Sequence, residues 1–200
     1  VNDQNIRQFG IQEADIVSIA KPISKYAVQI QEPEDIRYEL EKAAAIAVNG
    51  KPGPVWIDIP LDVQNMRVDS QKIEHFMPSF HQNTLKDNQI EFLEKELYSA
   101  KRPIVLIGSG VRSANAEKEL KNFIEKNQIP LVYSPSASDV YGLNNELSIG
   151  SIGIMGCTRS GNFAVQNSDL VLVLGCRLNS MVVGEKCQFA RDAKVIVVDI

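Results

Sequence analysis

The fold is decided by the stretch PIVLIGSG, Pro103–Gly110. Its uninterrupted apolar run is typical of a strand that is covered on both faces, as in a parallel sheet. Gly108-Ser109-Gly110 ends the run, and glycines between a strand and a helix allow phosphate oxygens to approach backbone N–H groups. The pattern lacks the third glycine of a dinucleotide-binding loop, so it leaves a nucleotide site and a simple tight turn equally open.

Strand and helix patterns alternate on both sides of this stretch. The predicted elements are helices at Asn88–Ala100, Ser113–Lys126 and Asn162–Asn167, and strands at Ile129–Tyr133, Asp169–Leu174 and Lys194–Ile200. Ser113 is predicted to be the N-cap of its helix because a serine hydroxyl accepts from the free N–H groups there. The alternation predicts an α/β fold with a doubly wound parallel sheet and Rossmann-like topology.

A shorter α/β pattern precedes this domain. Glu34–Val48 has apolar residues at helical spacing, and Gly50 predicts its end because glycine adopts the left-handed cap conformation. Val55–Ile59 then predicts a strand that is covered on both faces, and residues 61–86 lose all periodicity, as a linker does. The predicted organisation is the C-terminal part of one α/β domain at 1–62, a linker at 63–86 and a central domain at 87–200. Because both ends look cut, we expect a fragment of a longer protein.

Composition narrows the class of protein. The 200 residues are 44% hydrophobic and carry a net charge of -4, which favours a globular protein without nucleic acid or an anionic membrane as its partner. No apolar run is long enough to span a membrane, and the N-terminus lacks an apolar signal core, so we expect a cytoplasmic protein. Cys157, Cys176 and Cys187 lack metal-type spacing and predict free thiols, and His75 and His81 make a poor ligand set.

Candidate ligand residues follow the predicted strands of the central domain. Gly175 and Arg177 come after one strand, where an arginine meets phosphates or carboxylates at the carboxyl edge of such sheets. Asp199 ends the last strand and suits a ribose hydroxyl, and the glycine-rich segment 150–161 is permissive enough to wrap a ligand. A surface salt bridge, a loop cap and an irregular connection are the respective alternatives.

Five segments together resemble the thiamine diphosphate enzymes of the acetolactate synthase type. They are FGIQEADIVSIAKPISKY (9–26), GKPGPVWIDIPLDVQ (50–64), RPIVLIGSGV (102–111), NFAVQNSDLVLVLGCRL (162–178) and AKVIVVDI (193–200). The second closes the family's pyrimidine-binding domain, and the last three belong to its central domain. The resemblance covers the chain from about residue 6 to residue 200.

The resemblance implies an enzyme that decarboxylates a 2-keto acid and transfers the remaining carbon unit to an acceptor, with thiamine diphosphate and Mg2+ as cofactors and a homo-oligomer as the assembly. It places the activating glutamate upstream and the diphosphate and magnesium motif downstream of this sequence. The fragment then holds no catalytic residue, no metal site and no activity of its own. Gln12 and Lys25 match family positions near the reacting centre, and Asp58 is expected to fix the exit loop of the first domain.

The same resemblance implies a flavin pocket in the central domain. Gly108, Gly110, Gly175, Arg177 and Asp199 match positions that line the FAD pocket of those synthases that bind it. The sequence differs from the family pattern after Arg177. Such synthases have Arg-Phe-Asp-Asp-Arg, and this sequence has RLNSM, in which neutral side chains replace two carboxylates and one guanidinium. FAD therefore stays open as a cofactor. The alternatives are an oxidase or an acyl-CoA decarboxylase of the same superfamily, or a nucleotide-binding module without catalysis.

Overall fold

Two units make up the chain, Val1–Gln82 and Asn83–Ile200. A computed structural model describes residues 14–80 and 84–200. Gln12 and His81 lie outside the described residues. The predicted limits of the linker and of the two domains stay predictions, since the division into units does not test a linker as such.

The first unit is a small parallel α/β arrangement. Its elements are α1 (Ile16–Ala20), β1 (Tyr26–Gln29), α2 (Ile36–Val48), β2 (Val55–Asp58) and α3 (Leu61–Gln64). The helix predicted from Glu34 begins at Ile36, because Pro33–Asp35 form a turn of 3-10 helix ahead of it. β1 was not predicted, since YAVQ is short and partly polar. The expectation that β2 is covered on both faces is wrong here, because Trp56 is 44% exposed.

A lysine holds the turn between α2 and β2. Lys25 donates from Nζ to the carbonyl oxygens of Asn49, at 2.6 Å, and Lys51, at 3.0 Å. Gly50 has a φ of 60°, as its predicted left-handed conformation requires. A Cβ on Gly53 would lie 2.9 Å from the Lys25 Cδ, so the lysine stem also needs a glycine beside it. Gly50 and Gly53 therefore allow the turn between α2 and β2 to fold around the Lys25 side chain.

Asp58 bridges the two strands of the first unit. Its carboxylate accepts from the Gln29 Nε2 at 2.8 Å, and the two residues are register partners in the parallel pair. The expectation that Asp58 fixes the exit loop needs correction, because its side chain holds the neighbouring strand instead. Gln64 supports the exit loop by donating to the Ile59 carbonyl oxygen at 2.6 Å.

The segment after α3 returns to α2. Glu41 on α2 accepts from the Phe76 N–H at 2.9 Å and lies 3.2 Å from the His75 Nδ1, and it also binds the Arg37 Nε at 2.9 Å. The Phe76 ring packs edge-on against Tyr38, with ring centroids 5.4 Å apart. This part of the predicted linker is thus attached to the first unit although it has no regular secondary structure.

The second unit is a five-stranded parallel sheet between helices. Its elements are α4 (Asp87–Ser99), β3 (Pro103–Ile107), α5 (Gly110–Ser113), α6 (Glu117–Asn127), β4 (Leu131–Tyr133), β5 (Ser148–Ser151), α7 (Arg159–Gln166), β6 (Leu170–Leu174), α8 (Ser180–Val183) and β7 (Lys194–Val198). The strand order is β5-β4-β3-β6-β7, with every pair parallel. The predicted doubly wound α/β sheet is confirmed, and its order is the Rossmann order 3-2-1-4-5.

Alternate residues of the central strands fill two apolar layers. Leu106 and Val173 belong to the layer on one face, and Ile107 and Leu172 to the layer on the other. Both layers are buried because helices cover each face, which explains why these strands read as continuous apolar runs.

The helix and the N-cap predicted from Ser113 are wrong, and one strand of this unit was not predicted. The helix predicted for Ser113–Lys126 is broken, because Asn115 takes a φ of 53° between α5 and α6. Ser113 therefore ends one helix instead of capping the next. The strand β5 was missed, since its sequence SIGS combines a glycine with serines and has little strand propensity.

Replacing Lys25 by methionine should destabilise the first unit. The variant keeps the apolar stem and loses both Nζ bonds to the turn, so we expect a loss of about 1 kcal/mol in the free energy of unfolding. Trp56 is the single tryptophan and lies on β2, so its fluorescence during urea denaturation reports on this unit alone. Lys21→Met is the matched control. Equal urea midpoints for the two variants would contradict the assignment.

The Phe76 amide should report the titration of Glu41. The hydrogen bond from the Arg37 side chain, followed by that from the Phe76 N–H, lowers the pKa of this carboxyl. A lowered pKa means that the contact is complete above the ordinary glutamate value of about 4.3 and is lost as the pH falls through the lower folded value.

In a 15N-labelled chain, we therefore expect the Phe76 amide proton to shift upfield over that acidic range. Glu41→Gln should remove the titration, and Glu74→Gln, which changes a neighbouring exposed carboxyl, should leave it. If the chemical shift of the Phe76 amide proton does not change with pH in the parent chain, the segment is not held by Glu41.

Candidate functional site

The candidate site lies where the winding of the sheet reverses. From β3 the chain proceeds to β4 on one side, and from β6 it proceeds to β7 on the other. β3 and β6 are direct neighbours, and Ile107 and Leu174 end them in register. Ligands of doubly wound folds bind beyond the carboxyl ends of the strands at this point. Four of the five predicted cofactor residues follow these two strands, Gly108 and Gly110 after β3 and Gly175 and Arg177 after β6.

The two loops are in backbone contact. A Cβ on Gly108 would lie 2.3 Å from the Gly175 carbonyl oxygen and 2.6 Å from the Cys176 Cα. A Cβ on Gly110 would lie 2.7 Å from the Gly175 Cα, and Gly175 itself has a φ of 58°. Real side chains never approach so closely, so each of these glycines is required by the packing of one loop on the other.

The N–H groups of these glycines already have acceptors. Gly108 donates to the Leu174 carbonyl oxygen at 3.0 Å, and Gly110 donates to the Gly175 carbonyl oxygen at 2.9 Å. Gly175 donates to the Val198 carbonyl oxygen at 2.9 Å. A phosphate cradle needs N–H groups that point at the anion, and these three point along the sheet edge. The N–H groups of these three glycines are therefore not free to bind a phosphate.

Two small buried side chains lie at the carboxyl edge of the sheet, one after β4 and one after β6. Ser134, after β4, is 3% exposed, and Cys176 is 5% exposed. The Ser134 hydroxyl lies 3.1 Å from the Ser136 hydroxyl. Burial raises the pKa of the Cys176 thiol above its ordinary value, which keeps it protonated and unreactive at neutral pH. These side chains fill the space beside the glycine loops and offer no charge to a ligand.

The charged candidates lie on the outer rim of the same edge. Arg177 is exposed, and no carboxylate of the described residues forms a salt bridge with it. Asp199 is also exposed, and its carboxylate accepts from the Ile200 N–H at 2.8 Å. Arg112, at the end of α5, pairs with Asp139 beyond β4. The structure thus brings the three glycines into contact and leaves the two charged side chains at the surface.

The residues that follow Arg177 serve the fold. Leu178 takes a φ of 51° and packs against the apolar layer that contains Val173 and Cys176. Asn179 caps α8, since its Oδ1 accepts from the Val182 N–H at 3.1 Å. The departure from the synthase pattern therefore produces a turn and a helix cap where the sequence comparison expects charged groups.

A cleft of about 210 Å³ opens beside the glycine-rich segment and was not predicted as such. Its walls come from the loop after β5, from α7 and from α8. Asn162 holds that loop by accepting from the Gly153 N–H at 3.1 Å and donating to the Gly153 carbonyl oxygen at 3.0 Å. The segment 150–161 is partly strand, because Gly150 and Ser151 belong to β5. Nothing in the sequence marks Asn162, because its role depends on a loop that tertiary packing brings to it.

The first unit contributes one predicted site residue within the described range. The Lys25 ammonium is bound to two turn carbonyls, which occupies two of its three N–H donors. Its predicted position near a substrate stays a prediction, as does that of Gln12. Within residues 14–80 and 84–200, no group of three or more histidine, cysteine or acidic side chains could hold a metal ion. In the same ranges, no helix is long and apolar enough to cross a bilayer.

Replacing Gly108 by alanine should destabilise the pairing of β3 and β6 at the centre of the sheet. The added Cβ meets backbone on the other loop, which cannot yield without separating the ends of β3 and β6, so we expect a loss of about 2 kcal/mol in the free energy of unfolding. Hydrogen exchange of the β3 and β6 amides should become faster. Ser109→Ala, between the two glycines, is the matched control. Unchanged exchange in both variants would show that the loop contact is not structural.

Known proteins match this chain over both units. The family described as thiamine pyrophosphate enzyme, central domain, matches residues 90–200. The acetolactate synthase large subunit of Corynebacterium glutamicum is 39% identical over 193 residues, 94% of this chain and 30% of the relative. The probable large subunit of Methanocaldococcus jannaschii is 34% identical over 94% of this chain and 33% of its own length. That of Lactococcus lactis subsp. lactis is 33% identical over 100% of this chain and 35% of its own length.

The coverage shows how much of such a protein is present. The chain spans about a third of the length of the curated relatives that it matches. The family match begins within α4 and includes all five strands of the second sheet, and the matches to the relatives also include the first unit. The chain therefore belongs to the thiamine pyrophosphate enzyme family, and its second unit is the central domain of that family.

Proposed function

We propose that the protein containing this chain is an acetolactate synthase-like enzyme that depends on thiamine diphosphate and Mg2+. The observation that carries the proposal is the match to acetolactate synthase large subunits, at 33–39% identity, across both units in the same order. The reaction is decarboxylation of a 2-keto acid and transfer of the remaining carbon unit to an acceptor. Thiamine diphosphate, when bound, supplies the electron sink for that decarboxylation.

The role of this chain in the reaction is structural positioning. The family resemblance implies that the activating glutamate lies upstream and the diphosphate and magnesium motif downstream of this sequence. The first unit presents Lys25 at a turn that its own ammonium holds in shape, and the second provides a rigid sheet.

The proposal extends to assembly and location. A cofactor shared between domains of different subunits, as the family resemblance implies, requires at least a homodimer. The net charge of -4 gives no electrostatic reason for nucleic acid or an anionic membrane surface as a partner, which agrees with a metabolic enzyme of the cytoplasm.

Activity of the full-length gene product tests the proposal. With pyruvate as the substrate, we expect acetolactate and carbon dioxide in equal amounts, and only when both thiamine diphosphate and Mg2+ are added. The 200-residue chain alone should form neither product.

Three outcomes would contradict the proposed reaction. Oxygen uptake with a 2-keto acid would indicate an oxidase, and turnover of an acyl-CoA would indicate an acyl-CoA decarboxylase. A folded protein without turnover of any 2-keto acid and without affinity for thiamine diphosphate would leave a nucleotide-binding module.

A further inference from the structure

We propose that Lys42 on α2 couples residues 73–76, the strap, to the start of β1 in the first unit. The coupling runs through a row of cation–aromatic contacts, whose members are, in order, Phe76, Tyr38, Lys42 and Tyr26. Tyr26 is the first residue of β1 and follows Lys25, the residue that holds the turn before β2. The coupling acts within the first unit and does not require the proposed reaction.

The strap is held on α2 by few contacts. Ile73 and Phe76 are half-buried, and the two residues between them are exposed. The Phe76 N–H donates to the Glu41 carboxylate at 2.9 Å, and the Phe76 ring meets the Tyr38 ring edge-on at 5.4 Å between centroids. A segment without regular secondary structure that is held in this way opens without global unfolding. The strap therefore has an attached and a detached state.

Lys42 lies between the ring that the strap contacts and the ring at the start of β1. Its Nζ is 5.4 Å from the centroid of the Tyr38 ring and 4.6 Å from the centroid of the Tyr26 ring. An ammonium is attracted to the face of an aromatic ring within about 6 Å, and more strongly where water is partly excluded. The Lys42 side chain is 26% exposed, so the two rings share one partly desolvated charge.

A carboxylate fixes the strand end of this row. The Tyr26 hydroxyl donates to the Glu39 carboxylate at 2.5 Å, and the Lys42 Nζ lies 3.6 Å from the same carboxylate. Burial, followed by the hydrogen bond to Glu39, raises the pKa of Tyr26, so the hydroxyl stays a donor at neutral pH. The Tyr26 ring is thus held in place beside the ammonium, and any displacement of the ammonium changes the surroundings of the ring.

The state of the strap is therefore transmitted to β1. In the attached state, the edge of the Phe76 ring packs on Tyr38 and keeps that ring beside the Lys42 ammonium. In the detached state, the Tyr38 ring loses this partner, and the ammonium moves toward Tyr26. Coupling through packed side chains requires an element with two arrangements, which the strap supplies. Lys42 acts in this row as a positioning residue.

The ring signals of Tyr26 test the coupling in the 200-residue chain with 13C-labelled tyrosine. Phe76→Leu keeps an apolar side chain on the strap and removes the edge-on ring contact. It is introduced into the parent chain, into Lys42→Met, which lacks the charge, and into Lys42→Arg, which keeps it. Lys21→Met, at an exposed lysine of the same unit, is the matched control. Urea denaturation followed by Trp56 fluorescence confirms that the first unit is folded in each protein.

We expect Phe76→Leu to shift the Tyr26 ring signals by more than a linewidth in the parent chain, in Lys21→Met and in Lys42→Arg, and to leave them unchanged in Lys42→Met. If Lys42→Met does not fold, Lys42→Gln takes its place.

Three results would overturn the proposal. Unshifted Tyr26 signals in the parent chain would show that the strap acts on α2 alone. An equal shift in Lys42→Met would show that the effect bypasses the ammonium. A lost response in Lys42→Arg would show that the charge is not what transmits it.

Discussion

Backbone contact between two glycine loops is the constraint on which the second unit depends. β3 and β6 pair over their whole length and end in register, so the loops that follow them leave the sheet at the same level and must meet. A side chain at Gly108 or Gly110 would strike the backbone around Gly175. The sheet reverses its winding here, and the loop after β6 also binds the end of β7, because the Gly175 N–H donates to the Val198 carbonyl oxygen.

The second unit is built as a rigid scaffold. The family match identifies the second unit as a central domain, and the chain spans about a third of its relatives' length. The apolar layers on both faces of the sheet make this unit rigid, because strands that are buried on both sides resist local deformation.

Charged side chains in the first unit hold the backbone. The Lys25 ammonium binds the carbonyls of a turn, and the Glu41 carboxylate binds the backbone of a segment that is far away in sequence. Asp58 similarly binds the side chain of its strand partner, Gln29. An irregular segment and a glycine-rich turn have few apolar contacts, so such hydrogen bonds replace burial as the means of fixing them.

The sequence by itself determined the α/β class, the doubly wound sheet and the family. Long apolar runs such as Pro103–Ile107 and the helical spacing of Asp87–Ser99 are local signals, and the family segments are dense enough to identify. It did not determine the break between α5 and α6 at Asn115, the serine-rich strand β5 or the roles of Asn162 and Lys25. β5 and Lys25 depend on partners distant in sequence, and Asn115 and Asn162 depend on the conformation of a loop. A glycine after a strand permits the close approach of either a phosphate or a neighbouring backbone, and only the tertiary structure shows the backbone approach, because it brings Gly108 onto Gly175.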